Sequence, residues 1–386
     1  MNQPVLLHIV ERLESLLGKL PATIQKPILG ELTPLKELFL QQRPPRFVLV
    51  GSITKSAPEL LSVFFGNTEP TAVASVFRWQ ELNMGGRGTI YILDARGAAN
   101  TGAEQVQDEL KRQPGDVILF LDESDNPRRV RKNEIENLIA CLDWSDTAKT
   151  KVVGVAFSSS QTKSPHGREK EECGEELAAI LAEALKRKLP RAPETVSFGP
   201  AETLSKQTQT LMSILNRELP NEARIEMTRI SGDRGAQHEI AQLLVKSTSA
   251  ICTAVGAQPI PLADLPILTT LQLVMVSGIM YLSGRERSLR AATEFVGAIG
   301  ANVGAGMLFR EGARAMLKFL PGWGNVICGM VAGAGTYAIG RAATVFFLEG
   351  VSLKEARRTY LSSRKKRSAP SLPAPERSKS KRKSRK

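Results

Sequence analysis

Few residues in this chain could do chemistry, and they are scattered. Gly51 is followed by Ser52-Ile53-Thr54-Lys55-Ser56-Ala57-Pro58, which sets a lysine beside a hydroxyl after a glycine. Such a pair can meet phosphate oxygens and a Mg²⁺ ion when a glycine-rich loop curls its backbone N–H groups round a phosphate. The pattern for that loop, Gly-x-x-x-x-Gly-Lys-[Ser/Thr], puts its lysine six residues after the first glycine, whereas Lys55 follows Gly51 by four. Asp94-Ala95-Arg96-Gly97 offers a carboxylate, but a strand-ending turn with Gly97 at positive φ explains it equally well. His8, His166 and His238 are isolated, and Cys141, Cys173, Cys252 and Cys328 lie far apart, so no Cys/His zinc template can be written. The thiols are expected to be reduced and unpaired. Asp122-Glu123-Ser124-Asp125 and the run from Glu169 to Glu172 read as loop and helix-start charge, and are weak metal candidates.

These groups need a frame. From Phe47, short apolar runs alternate with longer amphipathic ones: Phe47 to Val50, Thr89 to Leu93, Val117 to Leu121, Val152 to Phe157 and Val196 to Phe198. Between them Ala103 to Arg112, Arg131 to Leu142 and Cys173 to Leu189 have helical periodicity. Buried parallel strands with crossover helices give this rhythm, which predicts a three-layer α/β domain over residues 44–217. Ala72 to Leu82 adds a candidate strand. Residues 1–43 precede it with two amphipathic helices, one on Leu6, Val10, Leu13, Leu16, Leu17 and Leu20, the other around Leu32 to Leu40. They are expected to pack on the domain that follows, with a partner or membrane surface as the alternative. Arg43-Pro44-Pro45-Arg46 then breaks helix.

Residues 218–360 form the second unit: Leu219-Pro220 starts a bridge, and from about Gln237 to Tyr360 the reading is helical throughout. Three stretches carry no charge: Leu265 to Gly284 (20 residues), Phe295 to Phe309 (15) and Phe319 to Gly340 (22). A bilayer crossing takes about 20 residues. Gly300/Gly304 and Gly329/Gly333 have the four-residue spacing that lets helices approach closely. Pro321 and Gly322-Trp323-Gly324-Asn325 could instead form a turn before a shorter helix. Residues 361–386 hold 11 Lys or Arg against one acid, so this tail supplies +10 of the net +13; its composition predicts disorder. The amino terminus meets acid by Glu11 and lacks the basic start and apolar run of a signal peptide.

Arg43-Pro44-Pro45-Arg46-Phe47-Val48-Leu49-Val50-Gly51, with Phe64-Phe65-Gly66 after it, resembles the opening of an Era-like GTPase domain. Pro259-Ile260-Pro261-Leu262-Ala263-Asp264-Leu265-Pro266-Ile267-Leu268-Thr269, then Gln272, Met275 and Gly322-Trp323-Gly324-Asn325, resembles the hydrophobic glycine-rich helical domain often fused to such GTPases. The resemblance implies an Era/Ras-like P-loop G domain followed by an all-α domain. It also implies a nucleotide site of Gly51, Lys55, Ser56, Asp94 and Gly97, with Asp94 toward Mg²⁺ and the γ-phosphate. Counting without a gap from Gly51 to Gly66 puts Ser56, Ala57 and Pro58 where Gly, Lys and Ser/Thr belong, with Pro58 suited to the first helical turn. A loop two residues shorter, with Lys55-Ser56 aimed at a phosphate, is the alternative register. Ser158-Ser159-Ser160-Gln161 stands where Asn-Lys-x-Asp would read guanine, and supplies no carboxylate.

With both motifs degenerate, the expectation is a membrane-associated pseudo-GTPase that binds or scaffolds a protein partner at the cytoplasmic face, without enzymatic activity and without a cofactor. Trp323, Lys365, Lys366 and Arg367 are the candidate lipid contacts, the basic ones through anionic headgroups. The alternatives are a divergent GTPase that uses GTP and Mg²⁺ and a nucleic-acid or ribosome-associated factor working through the tail. Related G domains often pair through their nucleotide faces, so a homo-oligomer is a further expectation of the resemblance.

Overall fold

The computed structural model describes residues 22–39, 41–53, 55–65, 77–123, 128–146, 148–157, 169–199, 204–257, 265–300 and 323–368. The first amphipathic helix expected before residue 21, Gly66, Gly304 and most of the tail lie outside them. A helix α1 (Ala22–Phe39) leads to a unit of alternating strands and helices: β1 (Arg46–Ser52), α2 (Ala57–Phe65), β2 (Trp79–Asn83), β3 (Thr89–Asp94), α3 (Ala98–Thr101) and α4 (Ala103–Arg112). It continues through β4 (Val117–Glu123), α5 (Arg128–Trp144), β5 (Lys151–Phe157), α6 (Glu169–Leu185), β6 (Glu194–Phe198) and α7 (Leu204–Glu218). The strands form one sheet in the order β2-β3-β1-β4-β5-β6, parallel except for β2, which pairs antiparallel with β3 at the edge. All five expected strands are present, and the sixth falls at the end of the Ala72 to Leu82 candidate.

The sheet is buried on both faces, as uninterrupted Val/Ile/Leu/Phe runs require. Phe47, Leu49, Leu119, Val153 and Val155 point to one side, where Leu60, Phe64 and Leu215 meet them. Val48, Val50, Ile118, Phe120 and Val152 point to the other, against Val106, Leu110, Leu138 and Leu181. This alternation with a period of two is the three-layer α/β arrangement.

The remainder is helical: α8 (Asn221–Ser231), α9 (Arg234–Gly256), α10 (Leu265–Leu282), α11 (Leu289–Gly300), α12 (Trp323–Phe347) and α13 (Leu353–Ser368). Asp233 caps α9 by accepting from the Gly235 and Ala236 N–H groups. Three sequence expectations are corrected here. The sheet's core does not stop at residue 217, because Ala223, Met227 and Ile230 of α8 belong to it while Ile225 of the same helix joins the helical core. Leu32, Leu35 and Leu38 of α1 pack in the helical core rather than on the α/β domain that follows, and Glu31 accepts from Ser247 Oγ of α9 at 2.5 Å. Helix α13 passes the boundary set at residue 360 and continues to Ser368, because Ala356 and Tyr360 anchor its inner face.

Helices α9 and α12 pack at the closest range that side chains allow. A Cβ on Gly329 would stand 2.6 Å from the Thr253 carbonyl oxygen, and one on Gly333 would stand 1.9 Å from Thr253 Oγ1. The Gly329/Gly333 pair therefore serves contact between helices of this chain. Inside the layer Thr336 Oγ1 accepts from Gln272 Nε2 at 2.9 Å and donates to the Ala332 carbonyl, whereas Ser277 Oγ of α10 is buried without a hydrogen-bond partner among the described residues. No described helix is long and apolar enough to cross a membrane.

Gly329→Ala is expected to cost about 1–3 kcal/mol through overpacking. Gly335→Ala, on the same helix with nothing within 4 Å of its Cβ position, should gain about 0.5–1 kcal/mol by helix propensity. Urea unfolding of the two variants checks the contrast, and equal effects would show that the interface does not require the glycine.

Candidate functional site

The sequence candidates converge at the carboxyl ends of β1 and β3, beside the β1/β4 switch point of the sheet, the place where ligands usually bind in open α/β sheets. Gly51, the last residue but one of β1, stands opposite Leu121 in the parallel register, with φ 111°. A Cβ there would lie 2.0 Å from the Leu121 carbonyl oxygen, so the close approach of the two strands alone demands glycine. Ala95 N–H donates to the Leu49 carbonyl, which brings the turn after β3 alongside.

Four residues separate β1 from α2, and Ser56 caps that helix. Its Oγ accepts from the Glu59 N–H (3.4 Å) while the Ser56 N–H donates to Glu59 Oε2 (2.7 Å), a reciprocal capping box. Pro58 falls in the first turn, as expected, where its missing N–H costs nothing. The bond from the Ser56 N–H, helped by the hydroxyl, holds the Glu59 carboxyl below the usual range.

Asp94 closes β3, buried, and both its oxygens are taken by one guanidinium. Arg96 Nε donates to Oδ1 at 2.8 Å and Arg96 Nη2 to Oδ2 at 2.7 Å. The remaining Arg96 Nη1 donates to the Lys55 carbonyl at 2.7 Å, which ties the turn after β3 to the loop after β1. Gly97 has φ 71° and caps α3, as the turn reading required. The Lys55 ammonium lies over the Phe157 ring at 5.3 Å, at the end of β5.

Two further groups complete the cluster, and sequence reading missed both. Glu134 of α5 faces the Gly51 N–H, the Asn137 amide and Arg96, and its Oε2 is buried without a hydrogen-bond partner among the described residues. Asn137, itself buried, donates from Nδ2 to the Ala95 carbonyl at 3.0 Å. Asp122 is a buried strand-end carboxylate paired with Arg131 Nε at 3.1 Å, not loop charge, and Arg131 Nη1 reaches Glu176 of α6 at 2.8 Å. The capping signal Ser-x-x-Glu at 56–59 was legible; the approach of Glu134 to Gly51 spans too much chain for any local pattern to reveal.

Of the other chemical candidates Cys141 borders this cluster, its Sγ donating to Asn137 Oδ1 at 3.9 Å. His238 sits on α9, with Nδ1 2.8 Å from the Arg234 carbonyl and Nε2 3.4 Å from Glu349. Cys141, Cys252 and Cys328 are free and buried; burial pushes the Cys141 and Cys252 thiols up to about 12. Among the described residues no three Cys, His, Asp or Glu form a metal-holding group. Trp323 opens α12, and Lys365, Lys366 and Arg367 lie on the last turns of α13. Ser158 to Gln161, His8 and His166 fall outside the described residues. No protein-family model matches the chain, and comparison with curated proteins finds no match.

Burial, outweighing the Asn137 amide and the Gly51 N–H, pushes the Glu134 carboxyl above its ordinary 4.5. A carboxyl with a raised folded pKa holds its proton more tightly in the native state, so ionising it costs stability as pH rises through that window. Glu134→Gln should therefore raise the thermal midpoint at neutral pH, with the gain fading at pH below 4.5. Melting curves of both proteins across that range decide it; a pH-independent gain would assign the effect to something other than the charge.

Proposed function

We propose that this chain is a pseudo-GTPase: a degenerate Era/Ras-like P-loop G domain, fused to a glycine-rich helical unit, that binds or scaffolds a protein partner at the cytoplasmic face of a membrane. The six-stranded, mostly parallel sheet between helical layers supports the G-domain part, since a three-layer α/β domain is what the resemblance implies. The observation that carries the loss of function is the Arg96 guanidinium, which holds both oxygens of Asp94 and the Lys55 carbonyl.

A Mg²⁺-triphosphate would need donors and a carboxylate from this same place. Glu59 already takes the Ser56 N–H, Glu134 faces the Gly51 N–H, and Lys55 points to Phe157. Two carboxylates in the phosphate position repel an anion, and a salt-bridged Asp94 offers no free oxygen to a metal. The residues present do not fit the ligand, so no catalytic step is derived through it. What is left is the carboxyl end of the sheet with the loops after β1 and β3 tied to each other, suited to presenting a surface to another protein. The apolar helices and the basic carboxyl end support the membrane part of the reading.

Titration of the purified full chain with fluorescent GTP, GDP and ATP in Mg²⁺ should give no saturable binding in the micromolar range. Micromolar, Mg²⁺-dependent binding that Lys55→Ala abolishes would replace this reading with that of a divergent GTPase using Lys55, Ser56 and Asp94.

A further inference from the structure

The outer face of α13 differs from the rest of the described surface. Ala356 and Tyr360 turn inward and are buried, which directs Lys354, Arg358, Leu361 and Ser362 to solvent. Positions 354, 358, 361 and 365 follow one another at four-, three- and four-residue steps, so they form one stripe along the helix. Four large apolar side chains are exposed among the described residues, and two of them, Leu353 (40%) and Leu361 (47%), stand on this helix. Its one acid, Glu355, is used at the amino end, where it accepts from the Ser352 N–H and hydroxyl at 3.2 Å. From Leu353 onward the chain carries 14 basic residues against two acids, +12 of its +13.

We propose that the Lys354/Arg358/Leu361 face of α13 is a docking surface for anionic phospholipid, lying in the plane of the membrane. The inference rests on the membrane part of the reading above and names the surface that carries it. Basic residues beside an exposed leucine suit the boundary between headgroups and acyl chains, where the cations meet phosphates and Leu361 leaves water. Nucleic acid shares the phosphate chemistry but fits this face less well. Base stacking needs an exposed aromatic ring, and Tyr360, the aromatic residue of this helix, is 2% exposed. Leucines gain nothing against a phosphodiester backbone. The inner face of α13 is held in the helical core, so docking would bring that whole unit to the surface without any helix crossing it.

Sedimentation of the full chain with vesicles tests this. The wild type should pellet with phosphatidylcholine vesicles containing phosphatidylserine, little with phosphatidylcholine alone, and less as salt rises. The double variant Lys354→Gln/Arg358→Gln should bind about 25-fold more weakly, at roughly fivefold per cation near the surface. Leu361→Gln should also weaken binding but keep the wild-type salt dependence. These side chains are exposed, so unchanged circular dichroism and melting temperature will show that the variants fold. If the wild type binds anionic vesicles and both variants match it, the α13 proposal fails while the membrane reading stands. If the wild type ignores both vesicle types, both fail. If the variants lose retention on a random-sequence single-stranded RNA and keep vesicle binding, the face is a nucleic-acid surface and the proposal is overturned.

Discussion

A buried carboxylate joins the two halves of this protein. Glu226 of α8 is 8% exposed, and a charge so placed costs several kcal/mol unless donors replace the lost water. Those donors come from three separate segments. The Thr89 N–H at the start of β3 donates at 3.2 Å, Gln42 Nε2 of the linker at 3.1 Å, and the Tyr281 hydroxyl of α10 at 3.0 Å. The carboxylate is satisfied only when sheet edge, linker and helical core are assembled together, so it sets their relative placement. Burial, reinforced by Glu226, keeps Tyr281 protonated and therefore a donor. Its ring is flanked by the guanidinium groups of Arg229 at 4.0 Å and Arg287 at 4.5 Å, which offset the negative charge at short range. Gly88 completes the arrangement, because a Cβ there would stand 2.6 Å from Glu226 Oε1.

This joint explains why α8 belongs to both cores. One face of a helix facing the sheet and another facing a helical layer leaves little solvent-exposed perimeter, and the polar residues on it must find partners inside. Thr228 and Ser231 do so with Asn216 of α7. The linker follows the same logic. Arg43 makes a two-pronged bond to Asp116 at 2.6 and 2.7 Å, and its N–H donates to the Glu222 carbonyl of α8. The Arg-Pro-Pro-Arg segment is thus tied at once to the beginning of β4 and to α8, and α1 is carried across to the helical side.

Much of the frame could be read from local pattern, because a strand buried on both faces writes itself as a short apolar run. Phe47 to Val50 and Val117 to Leu121 are such runs. What escaped was information carried by contacts distant in sequence. The leucines of α1 announce an apolar face but not its partner. The Gly329/Gly333 spacing announces close helix contact, in water as much as in lipid, and its neighbour is Thr253 of α9. At the site, Gly51, Lys55, Ser56, Asp94 and Gly97 do come together, yet the residues that decide its character are Arg96, Glu59 and Glu134. Arg96 lies inside Asp-x-x-Gly, a pattern that specifies its ends, Asp94 and Gly97, and leaves the middle free.

The filled site also indicates why the sheet can persist without a ligand. A helix that begins at a strand end presents N–H groups with no partner inside the helix, and a bound phosphate is one way to satisfy them. On the reading proposed, removing that phosphate leaves the Ser56 and Gly51 N–H groups in need of acceptors and the Asp94 carboxylate in need of a cation. The chain supplies all three from its own side chains: Glu59, Glu134 and Arg96. Glu134 shows the cost of the exchange, since one of its oxygens is buried without a bond and its carboxyl is pushed toward the protonated form. An internal ligand cannot dissociate as a nucleotide does, so on the reading proposed these three contacts stay filled and regulation acts outside them.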